Sequence, residues 1–394
     1  MTSAVDADLL SRVRDRLAQT ESTPSAAAVA EAVRAESGGV LGDTDLLVVL
    51  RELQTELTGA GPLDALLYEP GVSDVLVTDP AHVWVDRGRG LELTAVRFAD
   101  EAAVRRLAQR LALSAGRRLD DAQPWVDGRL AGVGEGTFGV RLHAVLPPLA
   151  QAGTCLSLRV LRPAALGLDE LARRGALPGR ASRLVRAIVR ARLAFLVVGG
   201  TGAGKTTLLA AMLGAVDPGE RIVSVEDAAE LAPPHPHVVS LVARAANVEG
   251  VGAVPVRELV RQALRMRPDR IVVGEVRGAE VVDLLTALNT GHDGGCGTVH
   301  ANAPGEVPAR LEALAALGGL SRQALHSQLA AAVQVVLHVH RSADGARGLA
   351  QIGVLERADD GLVTVVPAWT AKEGDGPAAA RLVELVSSRA GDPR

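Results

Sequence analysis

The residues with the plainest chemistry are Gly199, Gly200, Thr201, Gly202, Ala203, Gly204, Lys205, Thr206 and Thr207. They follow the apolar run FLVV and precede the run LLAAML. Strand, glycine turn and helix, in that order, are what a phosphate-binding loop requires. Glycines let the backbone wrap an anion with its N–H groups turned inward. The helix that follows adds the positive end of its dipole. Lys205 would reach the outer phosphates of a nucleotide such as ATP, and the Thr206 hydroxyl would bind Mg2+. A glycine-rich turn with no ligand is the bland alternative. Against it stands the choice of Lys205, because the chain has only one other lysine, Lys372.

Acidic residues fall at two apparent strand ends. In IVSVEDAAEL these are Glu226 and Asp227, with Glu230 close behind. Strand ends line the ligand crevice of an open parallel sheet, although the same carboxylates would also suit a helix N-terminus. In RIVVGEVRG, Gly274 stands where a magnesium-serving aspartate is usual, and the carboxylate comes one residue later, as Glu275. The segment TGHDGGCGTVHANAP carries His292 and His300 at a spacing that does not suit a helical HxxxH metal site. His300 closes the apolar run GTV and could polarise a phosphate or a water, or be structural. Arg141 and Arg159 interrupt strand-like patterns, and Arg129 could add positive charge beside them. A charge there needs a partner: a phosphate, or an internal ion pair.

The elements that must position these residues divide the chain. Residues 1–56 show apolar residues at three- and four-residue steps and predict a helical segment. Residues 57–162 read as an α+β domain: SDVLVTD, HVWVDRG, GTFGVRLHAVLPP and CLSLRVL predict strands, and DEAAVRRLAQRLALSAG predicts a helix capped by Asp100. Residues 163–180 are punctuated by proline and glycine and read as a linker. From 181 to 371 strand and helix alternate at βαβ spacing, which predicts a mostly parallel sheet covered on both faces. The stretches VQVVLHVHR and LAQIGVLER predict later strands of that domain. Residues 372–394 are rich in glycine, proline and charge and read as a disordered tail.

Composition limits the function classes. A net charge of −4 gives no sign of nucleic-acid binding. Cys155 and Cys296 form no CxxC pair, which excludes a cysteine zinc site and fits a reducing compartment. The first residues have no apolar core for a signal peptide, and no run approaches a membrane span. The expectation is a cytoplasmic protein that meets a membrane only through a partner.

The motifs GGTGAGKT, SVEDAAEL, RPDRIVVGEVRG and TGHDGGCGTVHAN, in this order, resemble the secretion-type traffic ATPases of type II and type IV secretion. There they correspond to the Walker A loop, the Asp box, a Walker B strand ending in Gly-Glu, and the His box. GPLDALLYEPGVSDVLV, VDGRLAGVGEGTFGVRLHAVLPP and LSLRVLRP also look like family segments, so the resemblance covers about residues 57–370. Within the family the chain looks most like the tight-adherence (Flp) pilus assembly ATPases. It lacks the four-cysteine zinc insert of many type II enzymes, and SLRVLRP departs from the commoner Ile-Arg-Lys-Phe.

The resemblance implies a RecA-like P-loop NTPase domain behind a smaller α+β domain. It implies hydrolysis of ATP to ADP and phosphate with Mg2+, in a homo-hexamer that drives pilus assembly or secretion from the inner face of the cell membrane, against a platform protein. It implies Glu275 as the residue that orients water, Thr206 on the metal with Glu226 or Asp227 behind it, His300 near the phosphates, and Arg141 and Arg159 acting from the N-terminal domain. A conjugation motor working on nucleic acid, or a nucleotide-gated scaffold, shares the same core and stays open at this point.

Overall fold

The structure, a computed structural model, describes residues 31–33, 35–36, 59–130, 139–161, 166–244, 246, 250–342 and 345–390. Most of the helical segment expected over 1–56 lies outside the described residues; 31–33 and 35–36 are helical. The chain forms two compact units, Met1–Arg162 and Pro163–Arg394.

The first unit holds a six-stranded antiparallel sheet. Its strands are β1 (Asp74–Asp79), β2 (His82–Asp86), β3 (Leu91–Leu93), β4 (Trp125–Leu130), β5 (Gly139–Val145) and β6 (Cys155–Leu161), in the order β3-β2-β1-β6-β5-β4. A short helix, α1 (Asp64–Tyr68), precedes them. Helix α2 (Glu101–Ser114) buries Val104, Leu107, Ala108, Leu111 and Ala112, the three- and four-residue steps of one helical face. Asp100 caps it, accepting a hydrogen bond from the Ala103 N–H at 2.7 Å. That apolar face meets one side of the sheet through Val75, Val77, Val140, Leu142 and Leu158. Residues between them in sequence face the other way, which decides where the strand arginines go.

The second unit begins with α3 (Leu168–Arg173) and α4 (Gly179–Arg190). Leu168, Leu171 and Leu177 join its core. The stretch expected to be a linker is therefore largely part of this unit, because its leucines find an apolar surface to cover. The strands that follow are β7 (Phe195–Val198), β8 (Ile222–Glu226), β9 (Val238–Val242), β10 (Arg270–Val276), β11 (Cys296–Val299) and β12 (Val335–Arg341). They lie parallel in the order β12-β7-β11-β10-β8-β9. The intervening helices are α5 (Lys205–Leu213), α6 (Val256–Ala263), α7 (Glu280–Leu288), α8 (Val307–Leu317) and α9 (Arg322–Ala332). Phe195 and Val197 point into one core and Leu196 and Val198 into the other. Both faces being covered, the strand reads as an unbroken apolar run.

Strands β13 (Arg347–Arg357), β14 (Val363–Thr370) and β15 (Gly374–Asp375) extend the sheet antiparallel beyond β12. The expectation of a disordered tail over 372–394 is overturned for residues 372–390; 391–394 lie outside the described residues. Helix α10 (Ala379–Ala390) puts Leu382 in the core at 1% exposure. Its apolar residues recur at helical spacing among the charges, and composition alone conceals that pattern. Among the described residues, no helix is long and apolar enough to cross a membrane.

Candidate nucleotide site

All the strand ends that matter here lie on the C-terminal side of the parallel sheet. β7 runs into the glycine loop and α5 begins at Lys205. Gly202 and Gly204 have φ of 70° and 99°, a left-handed backbone that glycine adopts without strain. Gly199 is required for a different reason. A Cβ there would lie 2.4 Å from the Val339 carbonyl oxygen of β12.

Lys205 is buried, and its Nζ donates to the carbonyl oxygens of Gly199 at 3.0 Å and Gly200 at 3.1 Å. It also lies 3.2 Å from His300 Nδ1. Burial lowers the Lys205 pKa, the nearby Glu275 opposes that, and Arg277 pushes it down further. On its other side His300 Nε2 approaches Glu275 Oε1 to 2.5 Å. That ring edge faces the carboxylate directly. An ammonium can only donate, which makes Nδ1 the acceptor and leaves the proton of the neutral ring on Nε2. Burial, and then Lys205, lower the His300 pKa, favouring that neutral ring. Lys205, His300 and Glu275 thus form one line from three different strand ends.

Glu275 has a second partner, Arg277, whose Nη2 meets Oε2. Arg277 lies one residue past the end of β10, two on from Glu275. Its closeness in sequence to Glu275 is the signal that marks it. Gly274 has its own role. A Cβ at Gly274 would lie 2.6 Å from Glu226 Cγ and 3.0 Å from its Oε1. Glu226 reaches from the neighbouring strand into the space an aspartate at 274 would need. It is buried, and its Oε1 accepts from the N–H groups of Glu230 at 3.1 Å and Leu231 at 3.0 Å. Thr298 fixes the same point from β11, its hydroxyl donating to the Gly274 oxygen at 2.7 Å.

Asp227, the next residue, is exposed. Thr206 and Thr207 are half-buried in the first turn of α5, and the Thr206 hydroxyl has no hydrogen bond among the described residues. Among those residues no group of three or more His, Cys, Asp or Glu side chains could hold a metal. An ion carried in with phosphates would fit the free Thr206 oxygen. A cavity of about 300 Å³ opens beside the loop, lined by Gly200, Thr201, His300, Asn302 and Arg310 among others. His292 is placed elsewhere, with Nδ1 3.1 Å from the Ala287 carbonyl at the end of α7.

In the first unit, Arg129, Arg141 and Arg159 stand side by side across β4, β5 and β6. Like charges opposite one another repel across a sheet. Arg141 is paired with Asp127, Nε to Oδ1 at 3.1 Å and Nη2 to Oδ2 at 2.7 Å. Arg159 Nε donates to Asp74 Oδ1 at 2.8 Å. The guanidinium side chains remain 37% and 53% exposed, so these pairs contribute little and open easily.

Residues 56–358 match the model of the family described as "Type II/IV secretion system protein", and the chain belongs to that family. A Mycobacterium tuberculosis (strain ATCC 25618 / H37Rv) protein named "Putative conjugal transfer protein Rv3659c" is 71% identical over 351 residues, which are 89% of this chain and 99% of that one. The type IV secretion system protein PtlH of Bordetella pertussis (strain Tohama I / ATCC BAA-589 / NCTC 13251) is 32% identical over 309 residues, 71% of this chain and 89% of PtlH. Among solved structures, the Legionella pneumophila ATPase DotB gives a TM-score of 0.52 at 19% identity, over 75% of this chain and 80% of that chain. The pilus retraction motor PilT, solved with ADP, gives 0.51 at 21% identity, over 82% and 85%. These two likenesses concern the fold.

Proposed function

We propose that the protein hydrolyses ATP to ADP and phosphate and uses the cycle to drive a pilus or secretion machine. The observation that carries this reading is the line Lys205–His300–Glu275 ending at the glycine loop. Lys205 donates to the loop's own carbonyl oxygens. Phosphate oxygens bind the ammonium more strongly, because both partners carry charge. Glu275, held by Arg277 and His300, accepts the proton of the water that attacks the γ-phosphorus, and ADP leaves. Bound Mg2+ would neutralise charge on the β- and γ-oxygens, held by the Thr206 hydroxyl and the phosphates. Glu226 and Asp227 would support that ion from behind Thr206.

Arg141 and Arg159 serve as the cations that sense the γ-phosphate from the N-terminal unit. Their exposed, weakly held pairs with Asp127 and Asp74 support this. ATP would then draw the two units together and ADP would release them. A head-to-tail homo-hexamer is the assembly that suits such a cycle. It would work peripherally at the cytoplasmic face of the membrane, against a platform protein, in a system of the tight-adherence pilus type.

A second reading, a motor for conjugal transfer, is favoured by the name of the relative that is 71% identical. Phosphate release by the full chain with Mg-ATP tests the main proposal. Lys205→Ala should abolish release and strongly weaken ATP binding. Turnover at the parental rate in that variant would refute the loop assignment. Stimulation by DNA, but not by membrane-protein partners, would favour the conjugal reading.

A further inference from the structure

The hairpin of β12 and β13 stands against the glycine loop. Val339 lies so close that Gly199 tolerates no side chain. Two residues on, Arg341 ends β12 and faces Arg347, the first residue of β13, in direct register. Both arginines border the second half of the loop. A Cβ built on Gly202 would lie 3.8 Å from Arg341 Nη1, and one on Gly204 would lie 3.8 Å from Arg347 Cδ. Two like charges directly opposite each other weaken a strand pair. The Arg347 side chain is exposed and makes no ion pair or hydrogen bond among the described residues. An anion in the loop would give the Arg347 guanidinium a partner.

The loop has a direction. Lys205 Nζ, His300 and Glu275 gather at Gly199 and Gly200. The water-activating carboxylate marks that end for the γ-phosphate. Gly202 and Gly204 lie at the other end, at the start of α5. We propose that Arg347, with Arg341 beside it, binds the α- and β-phosphates of the nucleotide in the same chain. The pair is a second set of nucleotide-binding residues. This inference rests on the nucleotide reading above. A guanidinium fork suits two phosphate oxygens at once.

The consequence separates these arginines from Arg141 and Arg159. ADP and ATP share the α- and β-phosphates, so Arg347 holds both equally. That is uniform binding, which sets affinity and the rate of ADP release.

The test uses the full chain with Mg2+ and three probes: a fluorescent ADP, ATP and inorganic pyrophosphate as competitor. Arg347→Ala should weaken all three by a similar factor, about 10- to 100-fold for a lost charged hydrogen bond. ADP should dissociate correspondingly faster. Arg347→Lys should recover a large part of the loss. The thermal midpoint of each variant is measured alongside, and a value near the parent's is expected for an exposed side chain. Parental ADP affinity in Arg347→Ala overturns the inference. So does a loss for ADP with none for pyrophosphate, which would indicate a contact with the base. A loss for ATP alone would make Arg347 a γ-phosphate group and overturn it too. If the parent itself binds no ADP, the nucleotide reading has failed first, and this inference falls with it.

Discussion

Gly274 and Glu226 occupy adjacent strands and share one volume. The glycine leaves the space and the carboxylate fills it, with its Cγ 2.6 Å from where a Cβ would stand. The Gly-Glu ending of β10 is therefore not a weakened Asp-Glu. The first carboxylate comes from β8 instead of β10.

Gly274→Ala should displace Glu226 and cost about 1–3 kcal/mol, as overpacking in a tight core does. Turnover should fall with it. Glu226→Ala alone should also destabilise the fold. Because the two residues touch, the double variant should lose less than the two separate losses together. Urea unfolding of the four proteins measures this. Strict additivity would mean that the two residues are not coupled.

Glu275→Gln should keep nucleotide and lose turnover, by about 10²–10⁴-fold for a missing general base. The amide preserves shape and loses the charge that Arg277 and His300 hold. Binding and phosphate release must be followed together. A variant that no longer binds would make Glu275 structural.

His300 should set an acid limb of activity. Burial and Lys205 lower its pKa, so at pH 7 the ring is neutral and Nδ1 faces the ammonium. As pH falls below about 6.5, the unperturbed histidine value, toward the lower folded value, the ring gains a proton. The Lys205 contact then becomes repulsive. The sign for stability is the same: the folded form takes up the proton later than the unfolded one, so stability present above that window is lost on acidification. The pH profile of phosphate release by parent and His300→Gln checks it. An acid limb identical in both would assign that limb to another group.

Arg141→Ala and Arg159→Ala should each weaken ATP more than ADP and slow turnover. Both guanidinium groups are substantially exposed and Asp127 is exposed, with Asp74 half-buried, so the thermal midpoint should move little. Equal loss for ATP and ADP would remove the γ-phosphate role from that residue.

Leu382→Ala should destabilise the chain by about 2–5 kcal/mol, because α10 closes the core beside β14. Thermal unfolding reads this directly. A midpoint unchanged from the parent would mean that the C-terminal helix does not hold the domain.

Much of the site was legible in the sequence, because its parts are local. A strand, a glycine turn and a helix start are contiguous, so the loop from Gly199 to Thr207 could be read in one pass. Glu275 stands out by its place at the end of a buried run, and the α2 cap by its type and position. Elsewhere burial overrules local pattern. Residues 168–177 carry turn-forming residues, yet their leucines cover the second core. The final helix hid its apolar stripe among charges.

What the sequence determined by itself was the set of local units: which runs are strands, which residues can wrap a phosphate, and which carboxylate ends its strand. What only the tertiary structure decided was adjacency. Strand order β7-β11-β10 brings His300 between Lys205 and Glu275, although 70 residues of chain separate Lys205 from Glu275. Pairing of β8 with β10 puts Glu226 against Gly274. Register across β4, β5 and β6 lines up three arginines, and the β12–β13 hairpin carries two more to the loop. The physical reason is that strand propensity and apolar period fix the face a side chain takes. Which strand lies alongside is set by burying both faces of the whole sheet at once.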